Sequence, residues 1–110
     1  MATAYKVLGQ SNPAATTSTA LYTVPAATEA VISTIVICNQ AATNATYRLC
    51  VKPDGAALAA KHYLAYDVTV GASDSTTLTL GITLDATDVL EVYASTATVS
   101  FNAFGSGITA

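Results

Sequence analysis

His62 is the one histidine in the chain, so any histidine-based triad or general base must use it. Ser33, Ser73 and Ser75 offer hydroxyls, but no Gly-x-Ser-x-Gly elbow leads into a helical pattern. Flanked by Lys61 and Tyr63 at the start of a strand, His62 reads as a surface or interface residue. Cys38 and Cys50 permit one disulfide. If their strands form a hairpin centred near Ala42, Cys38 faces the region of Thr46. The remaining offset of about four residues, at about 3.3 Å each, exceeds disulfide reach. Two free buried thiols are therefore expected. Two cysteines and one histidine, without a Cys-x-x-Cys pair, make a poor zinc site.

Asp85 and Asp88 are the closest carboxylate pair, and paired carboxylates can do acid–base work. They bracket a four-residue turn in which aspartate commonly bonds backbone, so the turn role is the expectation. Calcium would need several more oxygen ligands. Asn44-Ala45-Thr46 matches the glycosylation pattern, but no secretory signal accompanies it. Six tyrosines remain: Tyr5, Tyr22, Tyr47, Tyr63, Tyr66 and Tyr93. Each either packs in the core with its hydroxyl at the rim, or faces outward to anchor a protein or stack on a sugar. Tyr63 and Tyr66 have opposite parity, so one of them points outward. The residues thus supply no catalytic, cofactor-binding or metal-binding assignment, and the chain is not expected to be an enzyme.

The elements that would carry these residues are strands. Leu78, Leu80, Ile82 and Leu84 alternate with Thr77, Thr79, Gly81 and Thr83, the period of a half-buried strand. Similar runs, rich in β-branched and aromatic residues, predict strands over 4–8, 20–24, 30–39, 45–52, 62–70, 76–84, 89–94 and 98–104. Turn chemistry separates them, as at Pro53-Asp54-Gly55 and Asp85–Asp88. Eight short strands at this spacing indicate an all-β fold, an antiparallel β-sandwich of jelly-roll or Ig-like type. Residues 1–110 form a single domain, with residues 1–19 an extended N-terminal arm. Residues 56–61 make either one helical turn or a loop. Strand 30–39 is apolar on both faces, with Val31, Ile35 and Ile37 on one and Ile32, Val36 and Cys38 on the other. Its second cover comes either from the same domain or from another subunit.

Composition narrows the function classes. Of 110 residues, 52% are hydrophobic and only 10% charged, with net charge −3. Disorder is excluded, because disordered chains combine low hydrophobicity with high charge. Membrane insertion is not expected, because the apolar run 31–38 is far short of the roughly 20 residues a spanning helix needs. Nucleic acid is not an expected partner, since Lys6, Arg48, Lys52 and Lys61 form no basic stripe. No signal segment opens the sequence, so folding in a cytoplasm is expected. The exterior must be largely Thr, Ala and Ser. Such a surface is cheap to bury, because small side chains lose little rotamer entropy and no charge is desolvated.

Three stretches resemble a known style of protein. The first is Tyr5–Ser11 followed by Leu21-Tyr22-Thr23-Val24-Pro25-Ala26. The second is Ala30–Asn39 with Thr46-Tyr47-Arg48-Leu49. The third is Gly81-Ile82-Thr83-Leu84, Asp88–Ala94 and Val99–Gly105. Together they cover most of the chain and resemble the short β-sandwich structural proteins of tailed bacteriophage virions, especially phages of cyanobacteria and other marine hosts. The resemblance implies a non-enzymatic, homo-oligomeric protein, commonly trimeric, located in the virion after synthesis in the host cytoplasm. Its place would be a capsid decoration (cement) protein or a small tail or baseplate component, with major capsid or tail proteins as partners. The alternative is an adhesin domain of a tail fibre that binds host-surface glycans. The resemblance transfers no catalytic residue and no cofactor, and Cys38 and Cys50 within the strands depart from its pattern.

Overall fold

A computed structural model describes residues 2–109, and among them eight strands alternate with short turns. They are β1 (Ala2–Ser11), β2 (Thr19–Thr23), β3 (Thr28–Asn39), β4 (Ala45–Lys52), β5 (Tyr63–Val70), β6 (Ser75–Leu84), β7 (Val89–Ala94) and β8 (Val99–Thr109). Every predicted strand is present, and β4 and β7 have the predicted bounds. β1 and β8 run further than their sequence pattern suggests because they pair with each other, from Ala2 opposite Thr109 to Ser11 opposite Phe101. Between β4 and β5 the 56–61 segment is mostly loop, with single 3-10 turns at Pro53–Gly55 and Ala60–His62. No helix among the described residues is long and apolar enough to cross a membrane.

The pairing is nested. β1 pairs with β8, β2 with β7, β3 with β6 and β4 with β5, all antiparallel. Contacts of β3 with β8 and of β4 with β7 then join these ladders into two sheets. Their orders are β1-β8-β3-β6 and β2-β7-β4-β5. A long eight-strand hairpin rolled up in this way is a jelly roll, which resolves the choice between the two sandwich types. One premise of the cysteine argument is corrected here. β3 and β4 are not a hairpin: residues 40–44 cross from one sheet to the other, so Cys38 and Cys50 lie on different sheets and are both free thiols.

The core lies between the sheets and is built from the inward alternation of each strand. Ile32, Ile35, Ile37, Phe101 and Ala103 from the first sheet meet Tyr47, Leu49, Leu90, Val92 and Ala94 from the second. Tyr47 and Phe101 make an edge-to-face contact across the layers, with ring centroids 6.4 Å apart. Burying each large aliphatic side chain contributes about 1.5–3 kcal/mol.

A row of bulges crosses the first sheet and changes which residues reach that core. Leu8 on β1 and Ser33 on β3 are each an extra residue relative to β8, and Leu80-Gly81 on β6 oppose the single Ser33. Gly81 adopts φ 65° there, which a glycine does without steric cost. The single extra residue on β1 and on β3 shifts the side-chain alternation by one, whereas on β6 Leu78 and Ile82 keep the same parity on either side of Leu80-Gly81. On β3 the buried positions are therefore Ala30 and Ile32, then Ile35 and Ile37. The expected grouping of Val31 with Ile35 and Ile37 is incorrect for this reason. The same bulge turns Leu80 out of the predicted leucine face, leaving it exposed while Leu84 stays buried.

Candidate interaction surfaces

The residues considered for catalysis serve structure. His62 is buried in its 3-10 turn, and its Nδ1 accepts the backbone N–H of Ala59 at 3.0 Å. The surface reading of His62 is thereby corrected: the turn folds the ring inward to close itself. Ser33 donates to the Phe104 carbonyl at 3.1 Å, stitching the bulge row rather than approaching His62. Asp88 accepts two backbone N–H groups, from Asp54 and Asp85, each at 2.9 Å. Asp85 accepts from Ala86 at 2.8 Å. The carboxylate pair ties the 85–88 turn to the 53–55 turn.

Both thiols sit on outward-facing strand positions, Cys38 opposite Ser75 and Ser100, and Cys50 opposite Tyr63 and Glu91. Cys50 is buried beneath its neighbours, whereas Cys38 is half-buried, not buried as expected. Burial pushes the Cys50 thiol above its ordinary value of 9.0 and the Tyr22 and Tyr47 phenols above 10.0. In each case the folded state holds the proton longer than the unfolded state. The stability these groups contribute is therefore complete below the unfolded values and falls as pH rises through the folded ones. Urea midpoints should stay level from about pH 7 to 8.5 and drop between about pH 9 and 11. In Cys50→Ala the fall should begin later, and a flat profile to pH 11 would contradict the burial of these groups.

The outward faces of the two sheets differ in chemistry. On the second sheet, Arg48 of β4 lies between two tyrosines, its guanidinium carbon 4.1 Å from the Tyr66 ring centre and 4.2 Å from that of Tyr93. Asp67 accepts from Arg48 Nε at 2.7 Å and from Nη2 at 3.3 Å. That hydrogen bond, helped by the opposite charge, raises the guanidinium further above its ordinary value. Tyr63 stands edge-on to Tyr66 at 4.9 Å. Lys52 and Glu91 pair beside this cluster at 2.7 Å. The bulge at Asp67, with φ 51°, places Tyr66 and Asp67 around Arg48. The expectation that Tyr63 and Tyr66 point to opposite faces is corrected: register shifts at Leu64 and Asp67 bring both rings onto this outer face, where Tyr66 is the more open at 57% exposure. The Arg48 stack itself was invisible in the sequence, because it depends on β4, β5 and β7 being neighbours.

The outward face of the first sheet is almost without charge. Register places Tyr5 and Val7 of β1 on the same face as Phe104 and Ser106 of β8, and Asn102 beside Val36 of β3. Ser75, Thr77 and Thr79 of β6 complete it. Glu29, opposite Ile108 at one end, is the one carboxylate or cation on this face among the described residues. Gln10 and Asn102 satisfy one another there at 2.7 Å.

No known protein family and no curated protein matches this sequence. Among solved structures, a chain from the structure of the infectious bursal disease virus Gx strain is similar, with a TM-score of 0.52 and 12% identity. The match covers 98% of this chain but 32% of that one, so the present chain spans about a third of its length. A pentameric capsid protein isolated from metagenomic phage sequences aligns with a TM-score of 0.43 and 18% identity, over 94% of this chain and 61% of that one. At 12% identity the first likeness is one of fold, and it extends over nearly the whole jelly roll. What the chain presents is thus a small jelly-roll β-sandwich with one sheet face almost without charge and one face of paired charges and tyrosines.

Proposed function

We propose that this chain is a non-catalytic structural component of a bacteriophage virion, acting by self-association and by attachment to neighbouring virion proteins. The finer role is that of a capsid decoration (cement) protein or a small tail or baseplate component, and the assembly we favour is a homotrimer. The observation that carries this reading is the outer face of the β1-β8-β3-β6 sheet, on which Glu29 is the one charge among the described residues. Away from Glu29 at one end, covering it costs no desolvation of ionised groups, while Tyr5 and Phe104 supply large contact area. The sequence resemblance to phage virion proteins supports the same role, as does the jelly-roll fold, which is common among capsid domains. Residues 1–110 act as one domain, and the arm of residues 1–19, which begins with edge strand β1, is the part that reaches a neighbouring subunit.

Copy number in purified particles tests the proposal. Hundreds of copies per particle are expected for a head or tail-shell component, and absence from the particle overturns the reading. A second reading, a tail-fibre adhesin that binds host-surface glycans, is favoured by the open Tyr66 ring beside Arg48. About a dozen copies, together with binding of the isolated protein to host cells that Tyr66→Ala abolishes, would select that reading.

A further inference from the structure

On the outer face of the second sheet, the loop between β4 and β5 and the tyrosines beside it border an open hollow of about 490 Å3. Its walls are Leu58, Ala59 and Ala60 of the loop and Tyr63 and Tyr66 of β5. The two rings stand nearly perpendicular, at 89° with centroids 4.9 Å apart, and so form a corner. Tyr66 and Leu58 are both open to solvent, Leu58 at 40% exposure. A concave, mostly apolar hollow of a few hundred Å3 with a few polar groups is the usual form of a small-ligand site.

The corner is held in place before any ligand arrives. Arg48 lies against Tyr66 and Tyr93 and is tied by two hydrogen bonds to Asp67. On the loop side, His62 closes its turn by accepting the Ala59 N–H, which keeps Ala59 and Ala60 on the wall. A wall already fixed loses little freedom on binding. Charge then narrows the ligand. A cation seeks an aromatic ring, but Arg48 already fills that role at Tyr66. An anion seeks a cation, but Arg48 is neutralised by Asp67, and Lys61 lines a separate hollow with Val51, Pro53 and His62. What remains is ring surface, the hydroxyls of Tyr63 and Tyr66, and the acceptor positions of Asp67 that Arg48 leaves unused. The Asp67 side chain is 45% exposed. Such a set suits a neutral molecule with an apolar C–H face and a rim of hydroxyls, which describes a sugar ring.

We infer that this corner binds an uncharged saccharide, one sugar ring seated against Tyr66 and Leu58 with its hydroxyls meeting the phenols and Asp67. The site lies on the sheet face opposite the one almost without charge, so it stays open when that face is covered by other protein. The assignment rests on the glycan-binding reading given second above and adds to it the class of sugar.

Nuclear magnetic resonance titration of the purified chain tests it, with the methyl glycosides of glucose, galactose, mannose and N-acetylglucosamine as probes. Glucuronic acid, sialic acid and choline are the charged controls. At least one neutral glycoside should shift the Tyr63 and Tyr66 ring signals saturably, with a dissociation constant of about 10 mM or tighter. Tyr66→Ala and, independently, Leu58→Asp should each weaken that binding at least about tenfold. Both positions are exposed, and circular dichroism establishes that each variant is folded. Tyr5→Ala, on the other sheet, should leave binding unchanged. Asp67→Asn removes the charge that neutralises Arg48, so this variant should bind glucuronic or sialic acid, which the unmodified chain should reject. No saturable shift with any neutral glycoside, tighter binding of a charged control by the unmodified chain, folded Tyr66→Ala or Leu58→Asp with full affinity, or Asp67→Asn that still rejects both acids overturns the inference. The glycan-binding reading fails separately. Host-cell binding that only sialic acid competes away keeps that reading and refutes the sugar class, whereas a neutral glycoside held at the corner without any host-cell binding keeps the site and refutes the adhesin role.

Discussion

Gly105→Ala should lose about 4 kcal/mol or more of folding stability, and Gly105→Val should not reach the native fold at about 25 °C. Gly105 lies on β8 opposite Ile32, beside the bulge row. A Cβ built there overlaps the carbonyl oxygen of Val31 and crowds the Cα of Ile32, both of them β3 backbone. No side-chain rotation relieves such an overlap, so either β3 or β8 must move, and β3 carries Ile32, Ile35 and Ile37 into the core. Gly107 is the internal control, two residues along the same strand. Its added Cβ would meet only the Lys6 and Thr28 side chains, at 3.7 and 4.0 Å, which is ordinary contact. Gly107→Ala should therefore change stability by less than about 1 kcal/mol. Urea unfolding of both variants checks the pair. Equal effects at the two positions would mean that the close approach of β8 to β3 does not exist.

Asn39→Leu should cost about 3–5 kcal/mol, the second large effect. Asn39 is a fully buried polar side chain at the end of β3, 1% exposed, and its amide joins four segments. Nδ2 donates to the carbonyls of Thr43 at 2.8 Å and Gly71 at 3.2 Å. Oδ1 accepts from the Ala41 N–H and the Thr98 hydroxyl, both at 3.1 Å. Leucine has the same branching and number of heavy atoms but leaves these groups buried without partners, each at about 1–3 kcal/mol. Asn39→Asp separates this account from simple packing. Its carboxylate keeps the two acceptor contacts but turns a charged oxygen on the Thr43 and Gly71 carbonyls, which favours the protonated acid. The Asn39→Asp variant should thus be destabilised at pH 7 and recover relative to the unmodified chain as pH falls and the acid protonates. Paired urea titrations at about pH 7 and about pH 4.5 measure the difference. A deficit that does not shrink at the lower pH would contradict the latch.

The strands were legible because their signal is local. Thr76–Leu84 alternates within nine residues, and the turns beside Pro53 and Asp85 carry their own chemistry, so β4, β6 and β7 could be placed almost to the residue. Where local rules misled, a neighbouring strand was the cause. Ser33 and Leu80 sit at bulges that exist only because β8 and β6 flank β3, and the resulting change of parity cannot be read from β3 itself. The Gly105-Ser106-Gly107 stretch of β8 lacks strand-forming residues and is extended because β1 and β3 hold it on both sides. Asn39 looked like the polar end of an apolar run. Its role as a latch needed Thr43, Gly71 and Thr98, which only the closed sandwich brings together.

The same division runs through the surfaces. Composition alone determined that this exterior is short of charge, because 110 residues with so few ionisable side chains cannot cover themselves with charge. It determined equally that the chain is built of strands, since alternation is a property of neighbouring residues. The tertiary structure alone decided the distribution: nearly every charge is kept off one sheet face, and Arg48 is set between Tyr66 and Tyr93. Strand order sets that arrangement. It is fixed by pairings such as Ala2 with Thr109, whose partners lie a whole chain apart and leave no local trace in the sequence.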